Sequence, residues 1–383
     1  MPADAHKALL MHASSYHDPA ILHASRFLAP DPFTYLETNG RRVILASALE
    51  AGRARSQSRA NVVREMDEFG IQALVREKKS FDDAYAITLD RFLKEYDVRE
   101  AVVPKTFPLY LAEQLRACGV RLEIAPELEE RRRRKDADEI AAIEEAQRAT
   151  EAAFDAAVEL LREADIAPDR TLVLDGRPLT AERAHAAIES TLLELGCVAE
   201  DTIAAGGPHA AQPHNVGSGP YRANEAIVMD IYPQSKRTRY YADMTRTVCR
   251  GEPPAEIARM YETVLRAQQQ GIAMVRPGVT GKEIHERIED LLYDAGYGTT
   301  REGQRRPGVP SFIHGLGHGV GLAIHEEPNV GRSGTKPLEP GDVVTIEPGL
   351  YLEGFGGVRI EDMLVVTETG ARNLTRAEKR LQL

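Results

Sequence analysis

Five residues in the second half of the sequence have side chains that bind divalent metals, and each stands in a short apolar or glycine-rich segment. They are Asp230, Asp243, His318, Glu347 and Glu361, in the segments MDIY, YYADMTRT, HGLGHGVG, TIEPGLY and GGVRIED. Such segments predict short strands and tight turns, where a buried carboxylate is unfavourable unless its charge is compensated. Four carboxylates and one neutral imidazole carry about four negative charges, which two divalent cations would balance. The pattern therefore predicts a dinuclear metal site.

The chemistry that this ligand set supports is hydrolysis. Oxygen ligands with one imidazole suit manganese, cobalt, iron or zinc, and they disfavour a structural zinc site, which prefers thiolates. Two metals roughly 3.5–4 Å apart can share a water molecule and lower its pKa. The sequence contains neither a glycine-rich phosphate loop before a helix nor a G-x-S-x-G segment. It therefore indicates neither nucleotide chemistry nor a serine hydrolase.

Strands must bring these ligands together. IVMD predicts an apolar strand that ends at Asp230, and YYADMTRTVC predicts its hairpin partner, so both aspartates would lie at one end of a sheet. GDVVTIEPGLY places Glu347 at the end of another apolar strand. GGVRIEDMLVVTE predicts a single strand with Arg359 and Glu361 on the same face, toward Glu347. The alternative for these two residues is a buried Arg–Glu pair with a structural role.

Three histidines in SFIHGLGHGVGLAIHEEP extend the predicted site. His314, His318 and His325 are expected on a loop and a strand, between glycines that let the backbone approach a ligand. A lone histidine in such a place is more often structural. Three of them, followed by Glu326 and Glu327, indicate a site.

Length and composition indicate a globular protein of two domains. The chain has 383 residues, of which 43% are hydrophobic, and it lacks the run of about 20 apolar residues that a membrane helix needs. Its net charge of −11 argues against a nucleic-acid surface. Cys118, Cys197 and Cys249 are far apart and odd in number, which predicts reduced thiols. Because no secretory signal is recognisable, we expect a cytoplasmic protein without membrane or nucleic-acid partners.

The first part of the chain, to about residue 125, alternates between strand-like and helix-like segments. RRVILAS predicts a strand, SRANVVREMDEFGI a helix, and VREAVVPK, LYLAEQLRACG and VRLEIAP a strand, a helix and a strand. This alternation predicts a mixed α/β domain with its own core. We place the boundary near residues 126–135, which gives domains 1–130 and 131–383. The basic run Arg131–Lys135 has acidic residues on both sides and is predicted to be a solvated linker or a helix start.

A long helix is predicted directly after the boundary. KDADEIAAIEEAQRATEAAFDAAVELLREA has apolar residues at helical spacing, and Asp136 or Asp138 could cap it. Further elements are predicted as helices at about 180–195, 255–274 and 280–295 and as strands at about 226–249 and from 343 onward. Thr280 and Glu283 form a capping box for the last of these helices. Helix pairs followed by strand pairs occur twice, which suggests an internal duplication.

The segment from about residue 200 to 383 resembles the metallopeptidase family that includes methionine aminopeptidase, aminopeptidase P and prolidase. In that family an Asp, Asp, His, Glu, Glu series in this order binds a dinuclear metal centre, and all five positions match. The resemblance implies that Asp243 and Glu361 bridge the two metals, that Asp230 binds one, and that His318 and Glu347 bind the other. It also implies that Glu347 takes a proton from the bridging water.

The resemblance extends to residues around the ligands. His214, in AQPHNVGSG, resembles a substrate-side histidine of the family, and His314 and His325 resemble the pair that contacts the substrate and stabilises the tetrahedral intermediate. Arg359 and Tyr351 match the arginine and tyrosine of the proline-specific branch. In that branch the arginine organises the metal-bound carboxylates, and the two residues form a proton relay.

An N-terminal α/β domain joined by a charged helix also resembles the proline-specific members, aminopeptidase P and prolidase. The resemblance implies an α+β fold, with a smaller N-terminal creatinase-like α/β domain and a pita-bread catalytic domain. It implies hydrolysis of the peptide bond between an N-terminal residue and proline by two divalent metal ions, manganese before cobalt, zinc or iron. The implied partners are a peptide with proline in second position and a second copy of the chain in a homodimer.

Two other functions compete with this one. Creatinase-like enzymes of a related fold hydrolyse small non-peptide C–N compounds, amides or amidines, although those without metal lack the ligand set found here. A domain that had lost catalysis and served as a binding module would be expected to lack ligands. The chain departs from the family at Asp230-Ile231-Tyr232-Pro233, where Asp-x-Gly is usual. Its loop to Asp243 is about two residues longer, with SKRTR inserted. We expect this departure to alter one wall of the site.

Overall fold

A computed structural model describes residues 7–77, 80–125 and 128–383. These residues fall into two compact units, and the boundary lies between Arg132 and Arg133. Within the described residues, no helix combines the length and the apolar composition that crossing a membrane requires.

The first unit alternates short strands with helices. Its strands are β1 (Ala8–Ala13), β2 (Phe33–Thr38), β3 (Arg41–Ala46), β4 (Val62–Glu65), β5 (Glu100–Val103) and β6 (Arg121–Ile124). Its α-helices are α1 (Pro19–Ser25), α2 (Ala48–Gln57), α3 (Ile71–Arg76), α4 (Phe81–Glu95) and α5 (Leu109–Ala117), with 3₁₀ turns at Met66–Phe69 and Glu129–Arg132. The strands form one sheet in the order β4-β3-β2-β1-β5-β6. Leu10, Leu36 and Leu45 of its central strands share a hydrophobic cluster with Leu89 and Phe92 of α4. The predicted α/β layer is confirmed.

One helix predicted in this unit is wrong. SRANVVREMDEFGI contains no α-helix before Ile71: Val62–Glu65 forms β4 and Met66–Phe69 forms a 3₁₀ turn. A strand forms here because Val62 pairs in parallel with Val43 of β3. In addition, β-branched residues fit a pleated sheet better than a helix. Gly70, with φ of +85°, then turns the chain into α3. β3, β5, α5 and β6 lie where the sequence predicts them.

The second unit combines long helices with several small sheets. Its helices are α6 (Ala137–Glu163), α7 (Ala181–Glu194), α8 (Ala255–Met274) and α9 (Gly281–Asp294), with a 3₁₀ turn at Gly207–Ala211. Its strands are β7 (Asp165–Ile166), β8 (Leu172–Leu174), β9 (Arg177–Pro178), β10 (Cys197–Val198), β11 (Ile203–Gly206), β12 (Ile227–Ile231), β13 (Gln234–Ser235), β14 (Met244–Val248), β15 (Gly298–Thr299), β16 (Ser311–Phe312), β17 (Gly317–Gly319), β18 (Glu326–Val330), β19 (Val343–Ile346), β20 (Gly349–Leu352), β21 (Gly356–Arg359), β22 (Asp362–Val366) and β23 (Ala371–Asn373). The sheets are β11-β12-β14, β18-β17-β19-β22-β23, β15-β16-β20-β21, β7-β8-β9 and β10-β13.

Local capping signals explain where two of these helices begin. Asp136 caps α6 and forms a capping box with Glu139, and Thr280 caps α9 and forms one with Glu283. Each box satisfies backbone N–H groups that a helix start would otherwise leave unpaired. Both caps are among those predicted from the sequence. The predicted span 255–274 coincides with α8.

The core that supports the site lies between α8, α9 and the five-stranded sheet. Val264 of α8, Ile288 of α9 and Ile346 of β19 are completely buried in one hydrophobic cluster. At Gly271 of α8, an added methyl carbon would lie 2.9 Å from Ile346 Cγ2. The absence of a side chain there lets α8 approach the sheet closely, which fixes the strands that carry the predicted ligands.

The basic run Arg131–Lys135, predicted to be a solvated linker or a helix start, leads to the cap of α6 and is solvated only in part. Arg133 and Lys135 are buried, with 4% and 6% of their surface exposed. Arg133 donates two hydrogen bonds to the carboxylate of Asp342 at 2.8 and 2.7 Å, and Lys135 pairs with Glu326. Arg134 remains exposed. The acidic partners stand far along the sequence, so local charge pattern alone could not reveal them.

Candidate metal centre

Two antiparallel strands position the predicted aspartate ligands. β12 pairs with β14, with Asp230 opposite Thr245, and Asp243 stands directly before β14. The strand pair predicted at about 226–249 is therefore confirmed. Ile227, Val228 and Met229 are buried. Their burial fixes β12, and with it the position of Asp230.

The five-stranded sheet positions the other three predicted ligands. β19 lies between β17 and β22. His318 is in β17, Glu347 follows β19 directly, and Glu361 immediately precedes β22. Because Ile346 is opposite Asp362 in the antiparallel register, Glu347 and Glu361 stand next to each other where the two strands meet the site.

The ligand atoms are close together. His318 Nε2 lies 3.5 Å from both Asp243 Oδ2 and Glu347 Oε1. Potential ligand atoms of Asp243, His318 and Glu361 all lie within 4.8 Å of one another. Asp230 is near enough for its charge to raise the pKa of Glu361. The structure brings all five predicted ligands into one cluster.

Burial and the mutual repulsion of negative charges raise the pKa values of three acids in this cluster. Burial, followed by the charges of Glu361, Asp230 and Glu347, raises the pKa of Asp243 well above its usual value. Burial raises the pKa of Glu347 to about 8, although Arg359 opposes the rise. Burial and the charge of Glu347 also hold the pKa of Glu361 high. These carboxylates ionise readily only beside additional positive charge.

The side chains of the cluster fit divalent cations. Asp230 Oδ1 and Glu361 Oε1 are buried, and neither has a hydrogen-bond partner in the described part of the chain. Burial lowers the pKa of His318 to about 4, so its ring is neutral, the form that binds metals. Unsatisfied carboxylate oxygens and a neutral imidazole are the donor set that manganese, cobalt, iron or zinc would take.

Arg359 connects the ligand cluster to neighbouring residues through hydrogen bonds. Arg359 is 3% exposed, and its Nη2 donates to Asp230 Oδ2 at 2.7 Å. Its Nε donates to Thr245 Oγ1 at 3.1 Å, and its Nη1 donates to Tyr351 Oη at 3.0 Å and to the carbonyl of Pro213 at 3.3 Å. All three guanidinium nitrogens are therefore engaged.

A chain of hydrogen bonds runs from Arg359 through Tyr351 to His314, and the donor of each bond can be assigned. His314 Nδ1 lies 2.7 Å from the carbonyl of Gly315, which can only accept, so Nδ1 carries the proton. Burial lowers the pKa of His314 to about 3, so the ring is neutral and Nε2 is an acceptor. Tyr351 Oη, 2.9 Å away, therefore donates to Nε2 while it accepts from Arg359. Both ring nitrogens of His314 are occupied by the protein itself.

His325 and His214 occupy the exposed side of the site. The His325 ring is perpendicular to that of His318, with centroids 4.3 Å apart, and it is solvent-exposed. His214 is also exposed, and it lies close enough to affect the pKa of both His314 and His325. The structure thus brings all the predicted surrounding residues near the ligands.

Arg359 and Glu361 do not share the single strand that the sequence predicts. β21 ends at Arg359 and β22 begins at Asp362, so the chain bends at Ile360 and Glu361. The bend moves the chain from one sheet to another, and Arg359 pairs with Asp230 instead of Glu361. The alternative of a structural Arg359–Glu361 pair is therefore wrong.

The sequence interpretation missed several residues that orient the ligands. Thr245 Oγ1 donates to Glu361 Oε2 at 2.7 Å, and Thr345 Oγ1 accepts from the backbone of His318 at 3.1 Å. The buried Arg246 donates to the carbonyl of Glu361 at 2.5 Å. Buried threonines in strands are common, so their types gave no signal. An arginine in the otherwise apolar segment MTRTV was a signal that could have been used.

Tyr232 occupies the position at which the chain departs from the family pattern. Its hydroxyl donates to the carbonyl of Asp201 at 2.9 Å, which fixes the phenol beside Asp230. Burial, together with the charge of Asp230, raises the pKa of Tyr232 to about 12. A neutral aromatic ring therefore stands where Asp-x-Gly would leave open space.

Replacement of Gly317 by alanine is expected to destabilise the second unit. An added methyl carbon would lie 2.0 Å from the carbonyl oxygen of Thr345, so β17 must move away from β19 and displace His318. We expect a loss of about 2 kcal/mol or more in the free energy of unfolding, measured by urea denaturation. Gly370→Ala is the control, because its methyl carbon meets nothing within 4 Å. Equal losses in the free energy of unfolding for the two substitutions would contradict the close approach of residue 317 to the Thr345 carbonyl.

The fold and the ligand cluster define a class of metallopeptidase. The chain belongs to metallopeptidase family M24, whose sequence profile matches residues 141–368, more than half of the chain. The Xaa-Pro dipeptidase of Pyrococcus furiosus is 39% identical over 182 residues, which are 47% of this chain and 49% of that protein. An uncharacterized peptidase of Bacillus subtilis is 38% identical over 182 residues, 47% of this chain and 48% of that protein. The chain thus spans about half the length of these relatives.

Solved structures resemble nearly the whole chain. The prolidase of Pyrococcus horikoshii matches with a TM-score of 0.78 and 27% identity, over 98% of this chain and 95% of that one. The X-Pro aminopeptidase of Thermotoga maritima matches with a TM-score of 0.79 and 25% identity, over 98% of this chain and 97% of that one. The predicted α+β fold with a pita-bread domain is confirmed, as is the resemblance to the proline-specific branch.

Proposed function

We propose that this protein is a metal-dependent hydrolase of the peptide bond between an N-terminal residue and proline. The observation that carries the proposal is the buried cluster of carboxylates around His318, with unsatisfied oxygens on Asp230 and Glu361. The names of its relatives, Xaa-Pro dipeptidase, prolidase and X-Pro aminopeptidase, support the substrate class.

Two divalent ions are proposed as cofactors, and manganese is the preferred metal. Their proposed ligands are Asp230, Asp243, His318, Glu347 and Glu361. When bound, such ions polarise a substrate carbonyl and acidify a water molecule. Asp243 and Glu361 would be among the residues that hold both ions, because burial and neighbouring negative charge raise the pKa of each acid and its ionised form therefore needs nearby positive charge.

Glu347 is the proposed general base. Burial raises the pKa of Glu347 to about 8, which increases its affinity for a proton, and nearby metal charge would favour the carboxylate form that can accept one. Its backbone N–H donates to the carbonyl of Leu316 at 2.8 Å, which fixes the backbone of Glu347 directly after the end of β19. Arg359 holds Asp230 in place through its hydrogen bond to Oδ2.

His325 is the proposed donor to the oxygen that becomes negative when the substrate carbonyl is attacked. It is exposed beside His318, and no protein partner fills its ring nitrogens in the described residues. His214 is the second candidate for this contact. His314 is less suited, because Gly315 and Tyr351 occupy both of its nitrogens. Its proposed role is to hold Tyr351, and through it Arg359, in orientation.

The wider organisation completes the proposal. Residues 1–130 are proposed as the creatinase-like N-terminal domain and residues 131–383 as the catalytic domain. The protein is proposed to act in the cytoplasm as a homodimer. Exposed apolar side chains of the first unit, such as Phe81 and Leu109 at 60% and 73%, support association of two copies. Sedimentation equilibrium would test the dimer.

Hydrolysis of an Xaa-Pro dipeptide and an Xaa-Pro tripeptide is the test of this function. The metal-stripped protein is expected to be inactive and to gain activity on addition of manganese or cobalt, measured by release of the N-terminal amino acid. Preference for the dipeptide would indicate a prolidase, and preference for the tripeptide an aminopeptidase P. Metal binding without cleavage of either peptide would contradict the proposal and favour a small non-peptide amide or amidine substrate.

A further inference from the structure

A charged pair is completely enclosed near the site, although the function proposed above gives it no role. Lys135 Nζ lies 2.6 Å from Glu326 Oε1, and the two side chains are 1% and 2% exposed. Lys135 also donates to the carbonyl of Arg133 at 2.9 Å. A buried ion pair is often no more stabilising than apolar residues of the same volume. Stability alone therefore does not account for this pair.

Glu326 organises the turn that precedes it. Its Oε2 accepts a hydrogen bond from the backbone of Ala323 at 3.3 Å. At Gly321, an added methyl carbon would lie 2.3 Å from Glu326 Oε1. The turn 321–325 is thus wrapped around the carboxylate of Glu326, so closely that residue 321 has no room for a side chain.

The turn ends at His325 and is attached to the ligand strands on both sides. Before it, β17 carries His318, and after it Glu326 pairs with Gly319 of β17. The carbonyl of Gly321 accepts from the backbone of Tyr241 at 2.8 Å, two residues before Asp243. Within this turn, Glu326 accepts a hydrogen bond from the backbone of Ala323, and the His318 ring bonds the backbone of Ile324. The position of His325 therefore depends on where Glu326 is held.

We propose that Lys135 is a positioning residue for His325. Its ion pair with Glu326 anchors the carboxylate around which the turn 321–325 folds, and so holds His325 beside His318. Lys135 lies two residues before α6, remote in sequence from the ligands, and it places a positive charge against Glu326. The effect on catalysis rests on the proposed function, whereas the effect on His325 does not.

Substitutions can separate positioning from simple stability. Lys135→Met removes the ion-pair partner of the buried Glu326 carboxylate and is expected to lower the thermal midpoint. Lys135→Met combined with Glu326→Leu removes both charges, so the midpoint is expected to recover toward that of the wild type. Arg134→Met is the matched control, because Arg134 is 68% exposed and its bridge to Glu339 lies on the surface. It should change neither stability nor activity.

Activity of the manganese-loaded proteins is the first readout. We expect kcat/KM of the double variant to stay about 10- to 100-fold below that of the wild type, as for other small misplacements of a reacting group. Metal content, measured by mass spectrometry, should be unchanged. If stability and activity recover together in the double variant, the pair has a structural role only and the proposal is overturned.

NMR of protein labelled with [15N]histidine is the second readout, and it needs no activity. The ring resonances of His325, identified by their absence in His325→Gln, are expected to shift or broaden in the double variant and to coincide with the wild type in Arg134→Met. Unchanged His325 resonances in the double variant would overturn the proposal. If the wild type cleaves no peptide while the double variant shows the expected NMR changes, the proposed function is refuted and the positioning role stands.

Discussion

Replacement of Glu347 by glutamine is expected to lower kcat for an Xaa-Pro peptide by about 10²- to 10⁴-fold, the contribution usual for a general base. Glutamine keeps the shape of the side chain and an oxygen that can contact a metal, but it cannot take a proton. The fold should be preserved, because the metal-free Glu347, with a pKa of about 8, is mostly an uncharged acid at neutral pH. Initial rates at saturating manganese, with circular dichroism and metal content, measure these effects.

The control for this substitution is Glu353→Gln, an identical change at an exposed position nearby, which should leave kcat unchanged. Normal hydrolysis by the Glu347→Gln protein would show that another group is the base. The metal-stripped proteins supply an independent check. Between the ordinary glutamate pKa of 4.5 and about 8, folded Glu347 binds more protons than unfolded Glu347, so wild-type stability should fall as pH rises through this window. Glu347→Gln should show a weaker fall in urea denaturation.

Replacement of Arg359 by methionine is expected to destabilise the metal-stripped protein by about 3–5 kcal/mol, because it leaves a buried carboxylate without its partner. Asp230 loses its ion pair, and Tyr351 and Thr245 each lose a hydrogen bond. In the metal-loaded enzyme, kcat/KM should fall by about 10²-fold or more, since the groups around the ligands lose their orientation. Urea denaturation and steady-state rates measure the two effects.

Two further variants separate charge from geometry at Arg359. Arg359→Lys keeps the positive charge but cannot reproduce the forked contacts, so we expect it to fold and to retain only part of the activity. Arg372→Met removes an exposed arginine, 52% accessible, from its surface pair with Glu144. It should change stability by less than about 1 kcal/mol. If Arg372→Met and Arg359→Met lowered the free energy of unfolding by similar amounts, the special role of Arg359 would be refuted.

Features encoded by neighbouring residues were predictable from the sequence. The capping boxes at Asp136 and Thr280, the span of α8 and the strand pair around Asp230 all rest on side chains within a few positions of each other. The ligand residues could be predicted for a related reason. One acid at a strand end is usually a turn or cap residue, but four acids and a histidine in apolar or glycine-rich segments together require compensating positive charge.

Features that depend on distant residues were not predictable in this way. β4 forms because a neighbouring strand offers parallel hydrogen bonds, and the burial of Lys135 depends on Glu326. The bend after Arg359 arises where the chain passes from one sheet to another. Similarly, the family resemblance implied that His314 contacts the substrate, whereas the geometry shows that Gly315 and Tyr351 occupy its ring nitrogens.

The distribution of the five ligands over separate segments has a consequence for biosynthesis. No two of them are adjacent in the sequence, so an unfolded chain offers no ready chelate, and closing the intervening loops opposes early binding. Glu361 reaches its place only when β22 pairs with β19, and it is translated after the other four. With the proposed ligand set, complete metal loading would therefore require that this strand has left the ribosome and that β22 has paired with β19.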